Sequence, residues 1–438
     1  MQYAQDISNN HPLSDELKND YIARIKGAWA KLPPDQKKAL QPTLDKAHQQ
    51  FGDFVQKGVH PEHQLHSVLQ LRSYLTDDQD KHLQGLDAAV AKAIVISVGP
   101  EGQIYGTGKY QELDPGWGLV VGAVWLENLL HKHPFPPGMP TPKPMPDEGR
   151  VRIALAGDYG TGNFGADDSP STKITKIMAS LQPHYTIHLG DVYYAGTSGE
   201  EASKLVNLWP RGSLGSFTLN SNHEMYPGGG PYFNEAVGGP VFNKLQSPFS
   251  FFALENSGWI VVGLDSAYNA GVLDLYMNGS LGEPDNPQFD FLRALARKNK
   301  KVIVLTHHNG FELPGYDAKS PLKLFTEITG CFKNVAPPAC WYWGHKHAGA
   351  VYKPLPQFNN MLCRCAGHAA LPWALASELQ GSTQVEWYEQ KNAGDPSDKL
   401  RVFNGFALLE LDGDNLIETF YDEKGRIAWT PGLGDTRA

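Results

Sequence analysis

Residues 185–196 read "YTIHLGDVYYAG". A short apolar run stops at Gly190, and Asp191 follows at once. Such a run bounded by glycine reads as a buried strand, with the aspartate on its carboxyl end. The arrangement recurs outward from there. "VRIALAG" (151–157) runs into Asp158 of "GDYG", and "KVIVLT" (301–306) runs into His307 and His308. "YWG" (342–344) ends another strand and delivers His345 and His347, while "FTLNSNHEMY" (217–226) places Asn222, His223 and Glu224 after a short apolar stretch. Between them, "STKITKIMASL" (171–181) and "FDFLRALAR" (289–297) have helical spacing. "SFFAL" (250–254) with "WIVVGLD" (259–265), and "FALLELD" (406–412) with "LIETFYD" (416–422), read as paired strands. Strands alternating with helices, then strands in succession, predict an α/β layered domain.

The region before this domain differs. Leu17, Tyr21, Ile25 and Trp29 recur at helical spacing after the cap candidate Ser14; Leu40, Leu44, Phe51 and Phe54 mark a second helix. Thr76 with Gln79 forms a capping-box pattern before a third helix, and "AIVISV" (93–98) reads as a strand. "GWGLVVGAVWLENLL" (116–130) is too short to span a bilayer and carries Glu127, so it reads as a buried helix. Trp117 and Trp125 within it read as core rather than as ligand-stacking residues. Seven of the thirteen residues from Pro134 to Pro146 are proline, which reads as a semi-rigid linker. The expected organisation is a mostly helical region over 1–133, a linker over 134–149 and the layered domain over 150–438.

The 438 residues carry a formal charge of −9, with 41% hydrophobic and 19% charged residues. That balance suits a soluble protein with a large core, and it argues against a nucleic-acid partner, whose phosphates need a basic surface. The opening "MQYAQDISNNHPLSDEL" lacks the basic start and apolar stretch of a secretory signal. The default expectation is therefore cytoplasmic, with a secreted or periplasmic location left open. The four cysteines, Cys331, Cys340, Cys363 and Cys365, do not mark a disulfide scaffold. Reduced thiols are the plain reading, and a Cys331–Cys340 bridge is a matter for geometry.

The carboxyl ends of strands in α/β folds converge on one crevice. Several successive strand ends tipped with Asp, Asn, His or Tyr therefore predict a metal cluster. Carboxylate, amide oxygen and imidazole together suit zinc, manganese or iron, and the absence of cysteine argues against a structural zinc site. If "GHKH" is extended, His345 and His347 point to opposite sides and serve one metal each, with Asp191 bridging. On the same premise Tyr193 faces away from the site and packs. His368, and His60, His63, His66, His131 and His133, have no metal-ligand spacing and read as structural or surface residues.

The order GDYG, GDVYY, SNHE, VLTH, GHKH resembles the five-block signature of the purple acid phosphatases, which belong to the calcineurin-like metallophosphoesterases. The resemblance covers roughly residues 150 to 430. It implies an αββα sandwich of two sheets flanked by helices. It also implies a binuclear centre: Asp158, Tyr194 and His347 on ferric iron, Asn222, His307 and His345 on a divalent ion (Fe, Zn or Mn), and Asp191 bridging. The implied reaction is hydrolysis of a small phosphate monoester by a hydroxide held on the metals. His223 would act as acid to the leaving group, with Glu224 and His308 as further catalytic candidates: Glu224 orienting His223 or a metal-bound water, His308 lining the phosphate pocket. The family's glycine is Ser221 here, which is strained only if that position needs a positive φ. Two rivals stand beside this reading. One is a phosphodiesterase acting on nucleotides or lipid headgroups. The other is an effector or binding protein that uses the N-terminal region and keeps a vestigial metal site.

Overall fold

The computed structural model describes residues 15–57, 97–98, 104–105, 110, 116–164, 168–371, 379–395 and 401–432. The capping-box pattern at Thr76 lies outside them, as does most of "AIVISV"; its last two residues, β1 (Ser97–Val98), pair antiparallel with β2 (Ile104–Tyr105).

Among the described residues the remaining strands form two sheets. The smaller has the order β16-β15-β14-β4-β5-β6, from Ile427–Trp429, Asn415–Asp422, Gly405–Asp412, Val151–Ala156, Tyr185–His188 and Gly215–Thr218. The larger has the order β13-β11-β12-β10-β9-β8-β7-β3, from Val385–Tyr388, Gly349–Tyr352, Leu362–Ala366, Cys340–Trp343, Lys301–Thr306, Trp259–Gly263, Phe252–Glu255 and Lys143–Pro144. Strands β4, β5 and β6 are parallel, and so are β8, β9, β10 and β12.

Strand alternation explains the layering. Val151, Ile153 and Leu155 of β4 face the same inner cluster as Ile303 and Leu305 of β9, so the two sheets pack face to face. On the outer faces, Ala154 and Ala156 meet Ile174 and Met178 of the helix Pro170–Ser180, while Val302 and Val304 meet Phe291, Leu292 and Ile328 of the helices Pro287–Ala296 and Lys323–Cys331. The result is a helix–sheet–sheet–helix sandwich.

One charged pair crosses between the sheets. Arg364 on β12 donates from Nε and Nη2 to Glu418 on β15 at 2.8 and 2.9 Å, with both side chains buried. The Tyr342 hydroxyl also donates to Glu418. Glu418→Ala would leave a guanidinium unpaired in the core. It is expected to cost about 3–5 kcal/mol in denaturant unfolding, much of it restored in the Arg364→Leu/Glu418→Leu double variant.

The N-terminal helices Asp15–Lys31 and Pro34–Lys57 form as the spacing predicts, burying Leu17, Tyr21, Ile25, Leu40 and Leu44. The predicted helix over 116–130 is a π-helical turn, Trp117–Val121, continuing as the α-helix Gly122–Asn128. Arg24 joins the two parts through a bidentate contact to Glu127 at 2.8 and 2.7 Å. The Pro-rich stretch lies along the sheet: its Lys143–Pro144 forms the edge strand β3, a place where proline's missing N–H does no harm. All four cysteines are buried free thiols, so no Cys331–Cys340 bridge is present. No helix among the described residues is long and apolar enough to cross a membrane.

Candidate metal centre

The carboxyl ends of the parallel strands meet where the two sheets abut. Asp158 follows β4, Asp191 follows β5, Asn222 follows β6, His307 follows β9, and His345 and His347 follow β10. Asp158, Asp191, His345 and His347 have φ of 59°, 80°, 67° and 47°. Left-handed backbone at four non-glycine residues is uncommon and clusters at functional sites, where neighbouring structure holds it. Two glycines make the approach close enough: a Cβ on Gly190 would lie 2.7 Å from His307 Nδ1, and one on Gly344 would lie 2.7 Å from Asp158 Oδ2.

The side chains converge in two groups that share Asp191. In one, His307 Nδ1 donates to the Leu189 carbonyl at 2.9 Å, which leaves a lone pair on Nε2 of the neutral ring. That atom lies 2.9 Å from Asn222 Oδ1 and 3.2 Å from Asp191 Oδ1. The Asn222 amide is oriented by its Nδ2, which donates to the Tyr226 hydroxyl at 3.0 Å. Two acceptors thus face each other with no proton between them. Buried His345 Nε2 and Asp191 Oδ1 also lack a hydrogen-bond partner. In the other group, the Tyr193 hydroxyl lies 3.1 Å from Asp158 Oδ1, 2.8 Å from Asp191 Oδ2 and 3.1 Å from His347 Nε2. One phenolic proton cannot satisfy all three. Converging lone pairs and orphaned buried acceptors are what a cation resolves, so this donor set fits metal ions. The ligand-type atoms of Asp158, Asp191 and His307 lie within 4.8 Å of one another, as do those of His307, His308 and His345, although both ring nitrogens of His308 are hydrogen-bonded elsewhere.

Electrostatics agree. Burial, followed by the charge of Asp191, pushes the Asp158 carboxyl up to about 7. Burial keeps the His307 and His345 rings neutral, the form a metal needs.

Three expectations change. First, Tyr193, not Tyr194, points its phenol into the site. The Tyr194 ring lies against Tyr110 and Trp117, with centroids 4.7 and 5.4 Å away, and a Cβ on Gly116 would lie 2.5 Å from it. The alternation argument presumed an extended chain, but Asp191 turns it with a positive φ and residues 193–195 form a turn. His345 and His347 lie in different groups, placed by two left-handed residues rather than by strand alternation. In metal-loaded protein, Tyr193→Phe is expected to abolish any tyrosinate-to-iron absorption and to weaken metal retention by more than the roughly 10–100-fold that follows loss of a group merely hydrogen-bonded to a ligand. Tyr194→Phe is expected to keep the spectrum; absorption with metal analysis checks both.

Second, Glu224 does not touch the His223 ring. Its carboxylate accepts from the Asp191 backbone N–H at 3.1 and 3.2 Å and from the Ser221 hydroxyl, fixing the turn that aims Asp191. Third, His308 is not offered to a substrate. Its Nε2 donates to the Tyr276 carbonyl at 2.8 Å, so its Nδ1 accepts from the Ser266 hydroxyl at 2.9 Å. Both ring nitrogens are committed although the ring lies only 4.7 Å from His345. Ser266 was missed; the signal was the strand "WIVVGLD", whose end also approaches the site.

His223 donates from Nδ1 to the Tyr194 carbonyl, which turns Nε2 toward Asp191 Oδ2, 3.9 Å away. Ser221 has φ −136°, so the family glycine is not needed for a positive φ. Its hydroxyl caps the short helix Asn222–Met225, accepting from the His223 and Glu224 amides at 3.0 and 3.4 Å. Ser221→Ala should cost about 1 kcal/mol in thermal or denaturant unfolding, and Ser221→Gly a few tenths.

No protein-family model matches the chain, and no curated protein matches it. Solved structures do. A purple acid phosphatase from yellow lupin (Lupinus luteus) seeds is 14% identical with a TM-score of 0.43, covering 66% of this chain and 54% of that one. A predicted phosphoesterase from Streptococcus pneumoniae is 10% identical with a TM-score of 0.27, covering 65% and 96%. A metallophosphoesterase from Sphaerobacter thermophilus is 13% identical with a TM-score of 0.25, covering 63% and 88%. The match spans about half of the lupin enzyme's length, and at these scores the functional reading rests on the site itself.

Proposed function

We propose that this chain is a binuclear metal-dependent phosphoesterase of the purple acid phosphatase type that hydrolyses phosphate monoesters. The observation that carries the reading is the pair of acceptor-rich groups meeting on one carboxylate, Asp191. Asp158, Tyr193 and His347 would hold one cation, ferric iron if the phenol ionises, and Asn222, His307 and His345 the other, a divalent iron, zinc or manganese ion. When bound, two such ions supply Lewis acidity, which acidifies water and neutralises charge on a phosphoryl group.

The protein's own groups do the rest. Asp191 holds the two groups in register with one oxygen toward each. Glu224 and Ser221 hold Asp191 and the Asn222–His223 turn in place. The Tyr194 carbonyl fixes the His223 ring, so that Nε2 can carry a proton to a leaving oxygen arriving beside Asp191. His308 positions His307 and the 266–276 loop from behind.

Parallel assays of mono- and diester substrates on metal-loaded protein, with metal content measured on the same sample, test the reading. Monoester turnover with about two metals per chain supports it. Turnover of diesters alone would favour the diesterase. Less than one metal per chain together with no hydrolysis would favour an effector whose site is vestigial.

A further inference from the structure

The N-terminal region does more than stand beside the metal centre. Its helices and the turn at Trp117 form one apolar cluster with Tyr193, Tyr194, Tyr226, Leu275 and Tyr276. It is tied to the loop over the site by Trp125, whose Nε1 donates to the Val272 carbonyl at 3.0 Å, and by Thr43, whose hydroxyl donates to the Leu273 carbonyl at 3.3 Å. Within this contact Trp117 has a particular place. Its ring stands edge-on to Tyr193 at 5.4 Å and to His223 at 5.5 Å. It is half-buried, whereas Trp125 in the same helical segment is fully buried. Gly116, pressed against the Tyr194 ring, fixes where the Trp117 turn sits. Against the same Asn222–His223 pair, half-buried Met277 places its sulfur 3.6 Å from Asn222 Nδ2 and 3.9 Å from the Tyr226 hydroxyl.

We infer that Trp117 and Met277 form the leaving-group subsite, and that the N-terminal region thereby selects phosphate monoesters of planar, apolar alcohols such as phenols. The inference rests on the phosphoesterase reading, because His223 must face the leaving oxygen. A group attached to that oxygen then emerges beside His223, where an indole edge and a soft thioether await it. Aromatic rings favour edge-to-face contact with one another, and methionine sulfur favours aromatic edges. A polyol gains less from the indole ring and the thioether, whose contact surfaces are mostly apolar.

The test separates binding from leaving-group reactivity by using phosphonates, which cannot be hydrolysed. Calorimetry on the full-length, metal-loaded protein compares phenylphosphonate with methylphosphonate. The wild type is expected to bind the phenyl compound at least tenfold tighter. Trp117→Ala should shrink that preference about 5–10-fold, the range for an aromatic contact and its buried area, while Trp117→Phe keeps most of it. With phenyl phosphate as substrate, the Trp117→Ala loss should fall on KM rather than on kcat. Equal wild-type affinities for the two phosphonates would overturn the subsite, whether or not the variants fold, and so would an unchanged preference in a folded Trp117→Ala. Failure of both phosphonates to bind a protein that holds its metals would overturn the phosphoesterase reading along with it.

Discussion

Asp191→Asn is expected to remove most hydrolysis, by roughly 10³-fold or more, and to lower metal content below two ions per chain. Asparagine keeps the size of the side chain but loses its charge and one of two anionic oxygens. Those oxygens face different groups: Oδ2 lies 2.8 Å from the Tyr193 hydroxyl, and Oδ1 lies 3.2 Å from His307 Nε2. No other carboxylate in the cluster spans both. Asp158 sends Oδ1 toward Tyr193 and His347 and spends Oδ2 on the His345 backbone N–H at 2.8 Å. A bound cation pair would lower the barrier by several kcal/mol, and each 1.36 kcal/mol is about tenfold in rate. Elemental analysis and steady-state kinetics on one sample check the prediction. Two tightly held metals with near-normal turnover in Asp191→Asn would remove the bridging role.

His223→Asn is expected to lower kcat by about 10²–10⁴-fold for alkyl phosphates while leaving metal content unchanged. The loss should be far smaller for 4-nitrophenyl phosphate, whose leaving group departs without needing a proton. That contrast separates an acid from a structural residue. A ring that merely supported the site through the Tyr194 carbonyl would, when removed, slow both substrates alike. Equal losses on both substrates would therefore reassign His223 to positioning.

The fold and most of the site are legible in the chain for one reason. Buried parallel strands are continuous apolar runs, and a polar residue directly after such a run must sit at the carboxyl edge of a sheet. "VRIALAGD", "YTIHLGD" and "KVIVLTH" therefore announce both the strands and the positions of Asp158, Asp191 and His307. The helical spacing of Leu17, Tyr21 and Ile25 announces the N-terminal helix in the same way.

What the chain alone does not reveal begins where the strands stop. Beyond Gly190 the period of two no longer applies, because Asp191 takes a left-handed φ of 80°, and that turn decides which of two adjacent tyrosines enters the site. Whether Ser221 is a costly replacement depends on its φ, and an extended −136° with two capping bonds makes it an unstrained one. The side chains of Glu224 and His308 find partners far away in sequence, at Asp191 for the first and at Ser266 and Tyr276 for the second, besides the nearby Ser221 on Glu224. The site lining from Trp117 is likewise a long-range contact, created when a helical segment separated from the catalytic blocks by a proline-rich stretch docks over His223. The amino-acid sequence by itself determined the layered sandwich and the cluster of carboxylate, amide and imidazole side chains at its strand ends, because periodicity is local. Tertiary structure alone decided which phenol faces the cluster, which histidine is committed elsewhere and which indole packs against His223, because turns and docking set those directions across long stretches of chain.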